Sequence, residues 1–124
     1  MSLVLDAGAL IAVERGDRNT AAVIEAARQE HRAVIVPAGV VGQVWRGGGR
    51  QARLARLLGA RGVLVEPLTD SWARAAGVLC GAAGTADVID ASVVLAARRH
   101  RAPVISSDRD DLQALDPTIP VLDC

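Results

Sequence analysis

Five short aliphatic runs constrain this chain more than any other feature: "SLVLD", "RAVIVP", "GVLVEPL", "APVISS" and "IPVLD". Each is strand-sized and rich in Val, Ile and Leu, and is apolar along most of its length rather than at alternate positions. A strand with one wet face alternates, whereas a continuous apolar run is covered on both faces. Helical segments separate the runs, and hairpin signals are few. The pattern predicts an α/β fold, a three-layer α/β/α sandwich around a mainly parallel sheet.

The intervening helices read "AGALIAVERG", stopped near Gly16, and "DRNTAAVIEAARQEH". Next come "AGVVGQVWR", broken by glycines 47–49, and "RQARLARLLGA", with Leu54, Leu57 and Leu58 on one side. Thr69 is a candidate N-cap for "DSWARAAGVLCGAAG" and Thr85 for "ADVIDASVVLAARRH", and "DRDDLQAL" is a short last helix. With 124 residues and no internal repeat, low-complexity tract or linker, the chain is expected to be a single domain over 1–124. There is no Phe or Tyr, so the core is aliphatic, and Trp45, on an apolar helix, is expected to join it. No window reaches the ~18 uninterrupted apolar residues of a membrane span. The start lacks the basic and hydrophobic segments of a signal peptide, which predicts a cytoplasmic protein with no membrane partner. Cys80 and Cys124 are too few for a disulfide framework.

The net charge is zero, but its arrangement is uneven. Every cation is arginine, consistent with a GC-rich coding sequence. The clustering says more: Arg46, Arg50, Arg53, Arg56 and Arg61 gather in mid-chain, and most aspartates lie beyond residue 86. An acidic site beside an arginine-rich region suits a phosphate-bearing substrate held near metal ions.

Asp6, at the seam between the first run and its helix, is either a helix cap or part of a site assembled from distant segments. Ligands of open α/β sheets bind beyond the carboxyl ends of the strands, where strand order reverses. Asp6 ends the first strand, and Asp108, Asp110 and Asp111 follow the fourth. If those strands are neighbours, Asp6 and Asp108 face one crevice. Asp87 and Asp90 are three apart near a helix start and share a face. Asp90 is followed by "ASVVLAA", where a buried charge is costly unless paired or metal-bound. Gathered carboxylates repel and need a cation to stay ionised together. Hard Mg2+ or Mn2+ suits oxygen ligands. Zinc has no thiolate or histidine cluster here, since His31 and His100 lie at helix ends as surface residues. A carboxylate-held metal activates water and neutralises charge on a phosphate, which makes Asp6 a metal ligand. A phosphoacceptor receiver domain needs an acidic pair after the first strand and a late lysine, and a haloacid-type phosphatase needs "DxD" there. "DAG" supplies neither.

Taken in order, "VLDAGALIA", "VPAGVVGQVWRGG", "DVIDASVVLAA" and "VISSDRDDL" resemble the PIN domain, particularly the VapC-type toxins of bacterial toxin–antitoxin pairs. The resemblance covers nearly the whole chain. It implies an α/β sandwich whose acids bind Mg2+ or Mn2+ and hydrolyse RNA, a homodimer, and a small antitoxin that inserts near the active site. Asp6 matches the first acid and Asp90 the acid heading the "DA…AA" helix. Asp108 and Asp111 both satisfy the "T-x-D/N-x-x-D" stretch, with Ser106 in the Thr place. These four acids are the implied catalytic and metal-binding residues. Asp87 matches more weakly, as a supporting or second-metal residue. Arg46 matches a basic residue that would bind phosphate, and Arg50 and Arg53 would hold the RNA backbone beside it.

The family's second acid is normally Glu, and here Gln43 stands in its place, a metal position without the charge. "D-A-G" also lacks the Ser or Thr common after the first acid, and Glu14 could partly restore charge. The alternative function is therefore a weakened PIN-like module that binds RNA or a protein partner.

Overall fold

In the computed structural model, which describes residues 2–124, five strands form one sheet: β1 (Leu3–Leu5), β2 (Val34–Pro37), β3 (Val63–Glu66), β4 (Val104–Ser106) and β5 (Val121–Asp123). Their order is β3-β2-β1-β4-β5, and every pairing is parallel. Val4 registers with Ile35 on one side and Val104 on the other, so β1 is the central strand. The helices are α1 (Ala7–Glu14), α2 (Arg18–Gln29), α3 (Ala38–Val44), α4 (Ala52–Leu58), α5 (Asp70–Ala83), α6 (Val88–His100) and α7 (Arg109–Leu115), with a 3-10 turn at Gly49–Gln51.

The inner strands behave as their sequences predict. Every residue of β1, β2 and β4 is buried, and Leu10, Val40, Leu54, Val93 and Leu112 from five helices meet them in the core. The outer strands do not: Leu64 of β3 is 56% exposed, and Leu122 of β5 is also exposed. These strands close the two edges, and no continuous helical layer covers both their faces. Among the described residues no single helix is long and apolar enough to cross a membrane.

Local details differ from the sequence reading for definable reasons. The cap of α6 is Asp87, not Thr85: Asp87 Oδ1 accepts from both Ile89 N–H (3.1 Å) and Asp90 N–H (2.9 Å). Thr85 Oγ1 instead accepts from Asp87 N–H at 3.4 Å. Thr69 does cap α5, accepting from Trp72 N–H at 3.3 Å. Helix α3 ends at Val44, so Trp45 leaves the core and is 40% exposed. His31 is exposed, but His100 is half-buried, its Nε2 2.7 Å from Glu66 Oε2.

Candidate active site

The chain adds β2 and β3 on one side of β1, then β4 and β5 on the other, so the switch point lies between the carboxyl ends of β1 and β4. Asp6 stands at that point. Its backbone N–H donates to Ile105 O at 3.0 Å, tying it to β4. The residue is 1% exposed. Oδ1 accepts from Ala7 N–H at 2.8 Å, and Oδ2 accepts from the Ser106 hydroxyl at 2.7 Å. Ser106 Oγ in turn accepts from Asp108 N–H at 2.9 Å, linking the ends of the two strands through one buried hydroxyl.

Asp6 occupies the cap position of α1 but bonds only the adjacent amide, not the second or third of the helix that a capping carboxylate usually reaches. Burial pushes its carboxyl above the ordinary range, the Ser106 and Ala7 bonds pull it down, and the charges of Asp108 and Asp87 push it up again.

Asp90, in the first turn of α6, is half-buried and pushed up to about 7, first by burial and then by the charges of Asp87, Asp6, Asp111 and Asp108. Five aspartates from three segments thus share one electrostatic neighbourhood. Asp87 serves as the α6 cap as well. Asp108 and Asp111 are exposed at the start of α7, and Asp108 makes no capping bond with its side chain. Asp116 shows the opposite arrangement. Its bonds from Thr118 and Arg98 hold it down at about 2. Asp70 and Asp123 likewise have arginine partners. Among the described residues no arginine pairs with Asp6, Asp87, Asp90, Asp108 or Asp111.

Mutually repelling acids without a counter-charge fit a divalent cation. Among the described residues, however, no group of three or more such side chains converges on one ion. Both observations fit a hydrated hard ion, because Mg2+ keeps several waters and takes only one or two direct carboxylates. Asp6, Asp90 and Asp108 are the residues that would hold it, directly or through water.

The other sequence candidates lie elsewhere or are already engaged. Gln43 is exposed in the last turn of α3, with no hydrogen bond to the acids. Arg46 folds back, its Nη1 donating to Trp45 O (2.7 Å) and Gly42 O (3.2 Å). Arg53 Nη1 donates to Glu14 O at the end of α1 (3.4 Å). Arg50 is exposed on the 3-10 turn.

Two features escaped the sequence reading. Gln51 is buried and organises the glycine loop, its Oε1 accepting from Arg46 N–H and Gly47 N–H while Nε2 donates to Val44 O. Gly8 lets α1 approach the β4–α7 loop: a Cβ there would stand 2.8 Å from Ser107 N, closer than real contacts allow. The glycine in "DAG" was the available signal for it.

A PIN domain profile matches residues 3–116. No curated protein matches significantly. Among solved structures the chain is similar to one of FitAB bound to an IR36 DNA fragment, with TM-score 0.64 and 16% identity over 98% of this chain and 94% of that one. It is similar also to one of FitAcB from Neisseria gonorrhoeae, with TM-score 0.61 and 16% identity over 97% and 96% of the two chains. At that identity the likeness is one of fold.

Proposed function

Because this chain belongs to the PIN domain family, whose members are generally nucleases, we propose that it is a metal-dependent endoribonuclease of the VapC toxin type. What supports the reading is the uncompensated repulsion at the sheet's switch point, where burial and four other aspartates push the Asp90 carboxyl up to about 7. The proposal assigns Mg2+ or Mn2+ to Asp6, Asp90 and Asp108, with Asp111 and Asp87 at the margin. Such an ion lowers the pKa of water and offsets negative charge on a phosphodiester. The chain's own part is positioning. Ser106 orients Asp6, and α6 presents Asp90 beside it. Without the ion the Asp90 carboxyl is pushed up to about 7, so near neutral pH metal binding there displaces a proton. RNA is the substrate the resemblance implies, and a chain without Phe or Tyr is poorly equipped for extensive base stacking.

The same reading carries a homodimer and a small antitoxin partner. Both are what the resemblance to VapC-type toxins implies. The deciding experiment compares wild type and Asp6→Asn, at equal folding, for Mn2+-dependent cleavage of single-stranded RNA. Loss of cleavage is expected, and a variant that cleaves as fast as wild type contradicts the assignment.

A second reading rests on Gln43. Without a carboxylate at that position, the domain is a PIN-like module that binds RNA or a protein partner without turnover.

A further inference from the structure

A cavity of about 560 Å3 opens between α1 and the β4–α7 loop, lined by Gly8, Ile11, Ala12, Arg15, Ser107 and Cys124 among others. Its lining adjoins the segments that carry Asp6 and Asp108. Gly8 lies in the first turn of α1 beyond Asp6, and Ser107 stands between Ser106 and Asp108. Cys124 N–H donates to Ser106 O at 3.2 Å, so the end of β5 bounds the cavity beside the same strand terminus.

The charges in this cavity are not equivalent. Asp17 lines it too, but its Oδ2 accepts from Thr20 N–H (3.0 Å) and the Thr20 hydroxyl (2.7 Å), an engagement that caps α2. Arg15 is exposed, and among the described residues its guanidinium takes part in no hydrogen bond or ion pair. Arg46 and Arg53 have spent donors on backbone carbonyls. Arg15 therefore keeps its full donor fork for a ligand, and a guanidinium suits a phosphate. From Ala7 to Arg15 is eight positions of chain, about 12 Å along a helix axis. Arg15 thus sits about two helical turns beyond Asp6, a placement that suits a phosphate further along the same strand.

We propose that this cavity takes a nucleotide flanking the scissile phosphate of single-stranded RNA, with Arg15 on its phosphate and Ile11 and Ala12 against its sugar. The inference rests on the ribonuclease reading and adds the path of the strand across α1.

The test is fluorescence anisotropy with a short labelled single-stranded RNA at two salt concentrations, with Ca2+ in place of Mg2+. Arg15→Gln, Ala12→Phe (which fills the cavity at constant charge) and Arg74→Gln (one cation lost on the distant α5) are compared with wild type. Arg15→Gln should weaken binding roughly tenfold and lower the salt slope by about one. Ala12→Phe should weaken it without changing the slope, and Arg74→Gln should bind as wild type. If Arg15→Gln binds like Arg74→Gln, or Ala12→Phe like wild type, the cavity is not the strand's path, and the nuclease reading stands. If wild type neither binds nor cleaves RNA, both fail together.

Discussion

Ser106, 100 residues along the chain from Asp6, donates its hydroxyl to the Asp6 carboxylate at 2.7 Å, with both side chains buried. The same oxygen accepts from Asp108 N–H. One small hydroxyl thus sets the orientation of the first acid and the start of the segment, loop and then α7, that carries Asp108 and Asp111.

Ser106→Ala removes a donor and an acceptor at once. A buried carboxylate oxygen and an amide lose their partners, a destabilisation of about 1–3 kcal/mol. The lost bond is one that lowers the Asp6 carboxyl, so that group rises further, and metal binding needs a higher pH. Urea unfolding and the Tm gain on adding Mn2+, followed from pH 6 to 8, read both effects. A variant as stable and as responsive as wild type would show that the bond organises nothing.

Asp90 gives a prediction with a definite sign. Its folded value of about 7 lies above the ordinary 3.8, so the folded state binds the extra proton between those values. Metal-free stability attributable to this group is therefore highest below about pH 4 and falls as pH rises to about 7. Asp90→Asn abolishes that loss. Without metal it should be more stable than wild type at pH 8, by about 1–2 kcal/mol once the shift is discounted for solvent screening, and no more stable at pH 4. With saturating Mn2+ the order should reverse, because wild type gains binding energy that the variant lacks. Thermal melts at both pH values, with and without Mn2+, decide it.

Gly8→Ala probes the close approach of α1 to the loop bearing Asp108. The added methyl meets the Ser107 hydroxyl, which can rotate away, and also the Ser107 backbone nitrogen at 2.8 Å, which cannot. Overpacking of this kind costs about 1–3 kcal/mol. Cleavage should fall more than the stability loss alone explains, because relief of the clash moves Ser106 and Asp108 away from Asp6. Unchanged kinetics in the folded variant would show that the approach is incidental.

The sheet and its switch point were legible because a continuous aliphatic run has one physical meaning, burial on both faces, and because strand ends carry the acids. Which strands would lie at the edges was not legible, since "GVLVEPL" and "IPVLD" are as apolar as the inner runs. The cap of α6 was misread because Thr85 and Asp87 are both good caps. Only geometry shows that the carboxylate two residues later reaches two amides. Trp45 was assigned to the core because its helix is apolar, but α3 stops one residue earlier, where Gln51 takes up the amides of Arg46 and Gly47. That capture runs backwards along the chain from a residue with no apolar signature. The arginine cluster was visible, yet composition cannot tell that Arg46 and Arg53 turn their donors to backbone carbonyls while Arg15, outside the cluster, does not.

Gln43→Glu separates the two functional readings. Gln43 is exposed in the last turn of α3, and a Cβ added at Gly39 on that helix would stand 3.2 Å from Ile89, next to Asp90. A carboxylate there adds negative charge beside α6. Two opposed consequences follow. Without metal, the added charge should push the Asp90 carboxyl still higher and slightly destabilise the fold above neutral pH. With Mn2+, a carboxylate at position 43 that faces the acids adds a hard oxygen to the site's surroundings and should tighten binding by about tenfold, the scale seen when an outer-shell partner of a metal site is changed. If wild type already cleaves RNA and Gln43→Glu cleaves faster at limiting Mn2+, the domain is an active enzyme with a weakened metal site. Cleavage that arises only in Gln43→Glu establishes the binding-module reading for the natural chain. Should the substitution leave Mn2+ affinity and the Asp90 titration both unaltered, position 43 does not face the acids, and its glutamine says nothing about activity.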